Sequence, residues 1–138
     1  SSGNAAVAVD FEHDERAAAR KRRADVEPSP WDIVHPGVIV RINSDAQGRK
    51  PYLRVDTVIR YTPDVAQANA EALTRLRGGE GKAIVVRGLL SILPTAEQIE
   101  ADQLLRMDDA ADAIRKAITE AGFPPPVRVV FSSWVIQG

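Results

Sequence analysis

Two histidines, a cluster of aspartates, a glycine-lysine run and a pair of serines are the residues of this chain with types and spacing that could do chemistry. His13 and His35 lack a partner at metal-ligand spacing, and both read as exposed loop or linker residues. Asp108, Asp109 and Asp112 could place two carboxylates on one helical turn. Acid-base catalysis would also need a nucleophile, a second titrating group or a shaped loop, and none accompanies them, so a solvated helix face is preferred. Gly78-Gly79-Glu80-Gly81-Lys82 is superficially like a phosphate-binding loop, yet it lacks the full spacing, a hydroxyl residue after the lysine and a preceding strand. It reads as a connection between helices. Ser132 and Ser133 lie outside any nucleophile-elbow pattern, and the second half of the chain has no histidine to activate them. The expectation is therefore a non-enzymatic protein with no catalytic, cofactor-binding or metal site. Turnover abolished by changing Asp108 or Asp112 would revive an enzymatic reading.

Candidates for recognition rather than catalysis are Arg20-Lys21-Arg22-Arg23 and the two tryptophans, Trp31 and Trp134. The basic run could meet anionic lipid headgroups or nucleic acid, although a solvated helix end is the simpler reading. Each tryptophan could anchor an interface or pack in the core. A formal net charge of -1, with cations and anions interspersed along most of the chain, argues against a general polyanion binder. With no cysteine, disulfides, thiolate metal sites and thiol nucleophiles are excluded. No apolar run is long enough to span a bilayer, and no signal-peptide pattern opens the chain. Ser1-Ser2-Gly3 and the absence of an initiator methionine are read as signs of a piece of a longer protein.

The elements that would position these residues follow from periodicity. Of the 138 residues, 44% are hydrophobic and only 5% aromatic, so the core must be built from Val, Ile, Leu and Ala. Residues 1–30 form an expected linker: Phe11 to Ala24 is alanine-rich, with acids first and bases last, as a helix dipole favours, and Glu27-Pro28-Ser29-Pro30 ends it. Residues 31–138 form the expected domain. A strand is predicted at about Val38 to Asn43, followed by a polar loop. A longer strand within Pro51 to Thr62 places Leu53, Val55, Thr57, Ile59 and Tyr61 on one face and Arg54, Asp56, Val58 and Arg60 on the other. These two should pair antiparallel.

Thr62-Pro63 starts a helix that ends at Gly78-Gly79. Lys82 to Leu93 is ambiguous: Ile84-Val85-Val86 favours a strand, whereas the length and leucine-rich tail favour a buried helix. Pro94-Thr95-Ala96-Glu97 begins a further helical stretch, in which Leu104, Met107, Ala111, Ile114 and Ile118 recur at steps of three and four until Gly122. Val127 to Gln137 is a closing strand. Strict alternation puts Val127, Val129, Phe131 and Val135 on one face and Val130, Trp134 and Ile136 on the other, giving two apolar faces that both need covering. The predicted fold is α+β, a small antiparallel sheet of about three strands with helices packed on it, in the order β-β-α-α-α-β.

With the elements in place, the stretch from about His35 to Gln137 resembles the periplasmic domain of FliL, the flagellar basal-body-associated protein. The likeness rests on Val38 to Asn43 followed by Tyr52-Leu53-Arg54-Val55, on Lys82 to Thr95, and on the closing run Val127, Val130, Phe131, Trp134, Val135, Ile136 and Gln137. Departures from the family pattern are Gly88 within a helix, the stiff lead Gly122-Phe123-Pro124-Pro125-Pro126, and Trp134 in place of a common phenylalanine. The resemblance implies a helix for Lys82 to Leu93 and a fold like the stomatin and prohibitin (SPFH) domain. It implies a periplasmic domain of a single-pass inner-membrane protein at the flagellar basal body, with the membrane helix N-terminal to this chain. It also implies association with the flagellar stator proteins (MotA/MotB type), self-association into a ring, and support of torque and motility, without a cofactor or nucleic acid. Trp134, Trp31 and Arg20 to Arg23 are the candidate protein-interaction residues.

The rival reading is a peptidoglycan-binding domain like that of outer-membrane protein A. That domain needs an Asp and an Arg converging on a peptide carboxylate. The corresponding strand-to-helix corner would fall at Gly88-Leu89-Leu90-Ser91, and the Arg position near Asp109 or Ala110, so the required cation is missing.

Overall fold

Three antiparallel strands make one sheet in the order β1-β2-β3, with β2 in the centre. The computed structural model describes residues 28–138 apart from 45, 93 and 94. His13, the expected helix from Phe11 to Ala24 and the basic run Arg20-Lys21-Arg22-Arg23 lie outside the described residues. Strand β1 is Asp32–Arg41, β2 is Tyr52–Arg60 and β3 is Arg128–Gln137. Between β2 and β3 lie α1 (Pro63–Ala68), α2 (Ala70–Arg77), α3 (Gly79–Leu90), α4 (Ala96–Ala101) and α5 (Gln103–Glu120). The α+β architecture and its strand and helix order are those expected. The first and last helical stretches are each broken once, at Asn69 and Asp102.

Strand β2 is the most regular element. Its Leu53, Val55, Thr57 and Ile59 are buried, as is Tyr61 just beyond its end, in agreement with the alternation of the sequence. The two edge strands are less regular. β1 begins six residues earlier than the sequence suggests, running from Asp32 through Pro36. A bulge causes this discrepancy. His35 pairs with Thr57 and Val38 with Val55, so Pro36 and Gly37 together oppose Asp56. Gly37 has a φ of 63°, and its N–H donates to Asp56 Oδ1 at 2.6 Å. The inward residues thus change phase, from Ile33 and His35 to Val38 and Val40.

A second bulge sits across the same aspartate. Thr57 pairs with Phe131 and Asp56 with Ser133, leaving Ser132 as the extra residue of β3. Val129 and Phe131 before it, and Trp134 and Ile136 after it, all turn toward the core. The expectation that Phe131 and Trp134 lie on opposite faces is therefore corrected. Their rings meet edge to face at 66°, with centroids 5.0 Å apart.

Three of the five helix starts carry a side-chain cap. The Thr62 hydroxyl accepts from Val65 N–H at the head of α1. Thr95 and Gln98 form a reciprocal capping box at α4, and the Asp102 carboxylate accepts from Leu105 N–H at α5. The ambiguous stretch from Lys82 is helical through Leu90. Its Ile84, Val85 and Leu89 are buried against the remaining helices and the inner sheet face, in one core with Leu73, Leu76, Ile99, Ile114 and Ile118. Tertiary burial outweighs the weak strand preference of its β-branched residues.

Two glycines of α3 permit this packing. Gly88 lies where a Cβ would stand 2.8 Å from Ile114 Cα, so α3 and α5 cross almost backbone to backbone. Gly81 is tighter still. A Cβ there would stand 1.6 Å from the Leu76 carbonyl oxygen, at the sharp passage from α2 into α3.

Candidate functional site

The structure places His35, Asp109 and Glu80 in structural contacts. His35 is buried in β1, not exposed in a loop, and its Nε2–H donates to the Leu76 carbonyl at 2.8 Å. Being buried, it requires a partner, and the carbonyl at the end of α2 supplies one while tying that helix to the sheet. Asp109 pairs with Arg106 at 3.2 Å, and Asp108 and Asp112 are on the exposed side of α5. The glycine-lysine run is the α2–α3 passage. Glu80 within it receives two hydrogen bonds from Arg75, at 3.0 and 2.7 Å, which hold its carboxyl below the usual range. Among the described residues no group of His, Asp and Glu could hold a metal ion. The groove between α3 and α5, about 350 Å³, is lined by Arg87, Ser91, Lys116 and Glu120 among others.

Of the expected interaction residues, Trp31 is half-buried against the core. Trp134 is 9% exposed and belongs to the core itself. Its indole Nε1 and the Thr57 hydroxyl are buried without a hydrogen-bond partner among the described residues. The structure does not bring Trp31 and Trp134 together as one outer patch.

What it does assemble is an outer sheet face. All the helices that touch the sheet contribute to the core on its inner side, and among the described residues no element covers the outer side. The register fixes this face as rows crossing β1, β2 and β3 in turn. Asp32, Arg60 and Arg128 form one end, followed by Val34, Val58 and Val130. Asp56 lies at the middle between the two bulges. Ile39, Arg54 and Val135 come next, and Arg41, Tyr52 and Gln137 form the other end. Val58 is buried beneath its neighbours, but Val34 (52%), Ile39 (53%), Tyr52 (40%) and Val135 (43%) stand out into solvent. The open face of an antiparallel sheet is ordinarily polar, so four exposed large apolar side chains on one such face mark a contact surface.

Its charges are arranged in two ways. At one end Arg60 grips Asp32 with Nε–Oδ1 of 2.8 Å and Nη2–Oδ2 of 2.9 Å, and Ser29 N–H adds a third bond to Oδ2. At the other end the Arg41 guanidinium lies over the Tyr52 ring, 4.5 Å from its centroid, and bonds the Tyr52 hydroxyl. Asp56 is held by the bulge. Arg54, beside it on the same face, has no ion-pair partner among the described residues. On the inner side of the domain, burial pushes the Tyr61 phenol up to about 12, and its hydroxyl donates to the Pro124 carbonyl at 2.7 Å.

The outer face was only half visible in sequence. The polar positions of β2 follow from alternation, but their neighbours depend on two bulges that break it. The available signals were the Pro-Gly pair within a strand and the spacing of three between Phe131 and Trp134, which does not suit a period of two.

Comparison with models of known protein families finds no match, and neither does comparison with curated proteins.

Proposed function

We propose that this chain is a FliL-like periplasmic domain, a non-enzymatic part of the flagellar basal body that associates with the motor stator and supports torque and motility. In this reading the domain is held to the inner membrane by a helix preceding it, and copies assemble in a ring around the stator. The observation that carries the proposal is the closing strand. Val127 to Gln137 bears the strongest family likeness, and its strand contributes Phe131 and Trp134 to the core and Val135 to the outer face. Lys82 to Thr95 is another stretch of likeness, and its part through Leu90 belongs to the helix packed behind that sheet. The exposed apolar outer face suits a protein that works by contact. Among the described residues no helix is long and apolar enough to cross a membrane, so the anchor belongs to the proposal alone.

Affinity purification of the full-length protein from detergent-solubilised membranes tests this reading, with co-purification of stator protein as the expected result. Absence of stator protein from the eluate, under conditions that retain the stator complex intact, argues against it. The peptidoglycan-binding alternative is tested in parallel by retention on purified cell wall. Gly88-Leu89-Leu90 lies inside α3 rather than at a strand-to-helix corner, and Asp109 is already paired with Arg106, so no retention is expected.

A further inference from the structure

We propose that the outer sheet face is a two-fold self-docking surface, on which a second copy of this chain lays the same face so that Arg54 of each copy meets the partner's Asp56. The argument begins with the order of side chains along the central strand. On its outer side β2 presents Tyr52, Arg54, Asp56, Val58 and Arg60 in sequence. An axis lying between two stacked sheets, perpendicular to β2 and passing between Arg54 and Asp56, reverses that order in the second copy. Arg54 then faces the partner's Asp56, Asp56 faces the partner's Arg54, and Tyr52 faces the partner's Val58. One patch thereby meets itself with opposite charges matched at the centre and an apolar pair on either side, which is what an isologous interface requires.

Further considerations favour a second copy as the occupant. Arg54 and Asp56 are both half-buried, and Arg54 has no ion-pair partner of its own among the described residues. Asp56 is fixed by its bond to Gly37 N–H, so one half of the contact is already rigid. Stacked sheets cross at about 30°, which separates outer rows but leaves residues beside the axis in register, and the charged pair is beside the axis. Ile39 and Val135, which flank Arg54 on the two edge strands, provide the exposed apolar area around it. This contact rests on the face alone and stands or falls separately from the flagellar reading.

Sedimentation velocity of the purified chain over a range of concentrations is the test. A reversible monomer–dimer equilibrium is expected. Arg54→Asp turns both symmetry-related contacts from attractive to repulsive and should weaken dimerisation roughly 100-fold. Because Arg54 is on the outer face, the far-ultraviolet circular dichroism and melting of that variant should stay close to those of the parent. The chain has no cysteine, so a single introduced thiol reports on geometry. Ser133→Cys, beside the axis, should cross-link through a short bismaleimide, whereas Lys116→Cys on exposed α5 should not. A chain that remains monomeric at millimolar concentration overturns the proposal. So does a dimer whose affinity is unmoved by Arg54→Asp, or one that cross-links through Lys116→Cys and not Ser133→Cys.

Discussion

Replacing Gly88 by alanine sets two effects of opposite sign against each other, and the structure decides between them. In a helix interior alanine is intrinsically favoured over glycine by about 1 kcal/mol. Were Gly88 merely a poor helix former, as its sequence position suggests, the change would stabilise the domain. The added Cβ, however, would stand 2.8 Å from Ile114 Cα, 2.8 Å from Ile114 Cγ1 and 3.0 Å from Ile114 N. Two of these three atoms are backbone and cannot rotate away, so α3 and α5 must move apart along their shared contact. Overpacking of this kind costs roughly 1–3 kcal/mol at a buried site, leaving a net loss of up to about 2 kcal/mol after the propensity gain. For a domain of this size that lowers the melting temperature by up to roughly 8 °C. Gly79, at the start of the same helix, is the control, because nothing lies within 4 Å of a Cβ there. Gly79→Ala should be neutral or stabilising by up to about 1 kcal/mol. Urea titration followed by circular dichroism measures both variants against the parent. A Gly88→Ala variant as stable as Gly79→Ala would refute the close helix crossing.

Gly81→Ala should prevent folding or reduce stability by more than Gly88→Ala, since the Cβ would overlap the Leu76 carbonyl; expression and a thermal melt decide this. His35→Leu removes the donor to that carbonyl and should cost about 1–3 kcal/mol in urea titration, with an unchanged midpoint contradicting the bond. Asp32→Ala leaves Arg60 without its bidentate partner and should cost about 2–3 kcal/mol, whereas a loss near zero would show that the pair behaves as an exposed one. The Tyr61 phenol, raised from 10.0 to about 12 by burial, stays protonated in the folded chain while an unfolded one ionises. Its contribution is thus complete below pH 10 and is lost as pH rises toward 12, and Tyr61→Phe should flatten the alkaline fall in stability measured over that window.

Much of the fold was legible because β2 obeys a strict alternation and the helix starts at Thr62 and Thr95 carry their own capping chemistry. What escaped sequence reading depended on contacts between distant residues. The early start of β1 was hidden because Pro36-Gly37 interrupts the pattern, and only the opposing Asp56 explains why the chain bulges there. Trp134 was assigned to the wrong face for the same reason: Ser132 inserts one residue into β3, and every later side chain changes sides. Gly88 reads as a weak helix residue until Ile114 is placed against it. His35 looks like a loop residue until Leu76 approaches. As for the interaction surface, the tryptophans attracted notice for their size, yet both pack toward the core. The face that stands open is made of ordinary residues, Val34, Ile39, Tyr52 and Val135, whose meaning lies in being side by side.

The functional proposal is tested most directly by deleting the gene and measuring swimming speed and swarming on viscous or semi-solid medium. A stator-supporting role predicts reduced motility that worsens with load and is restored by the full-length gene. Swimming and swarming that stay unchanged under load would contradict it.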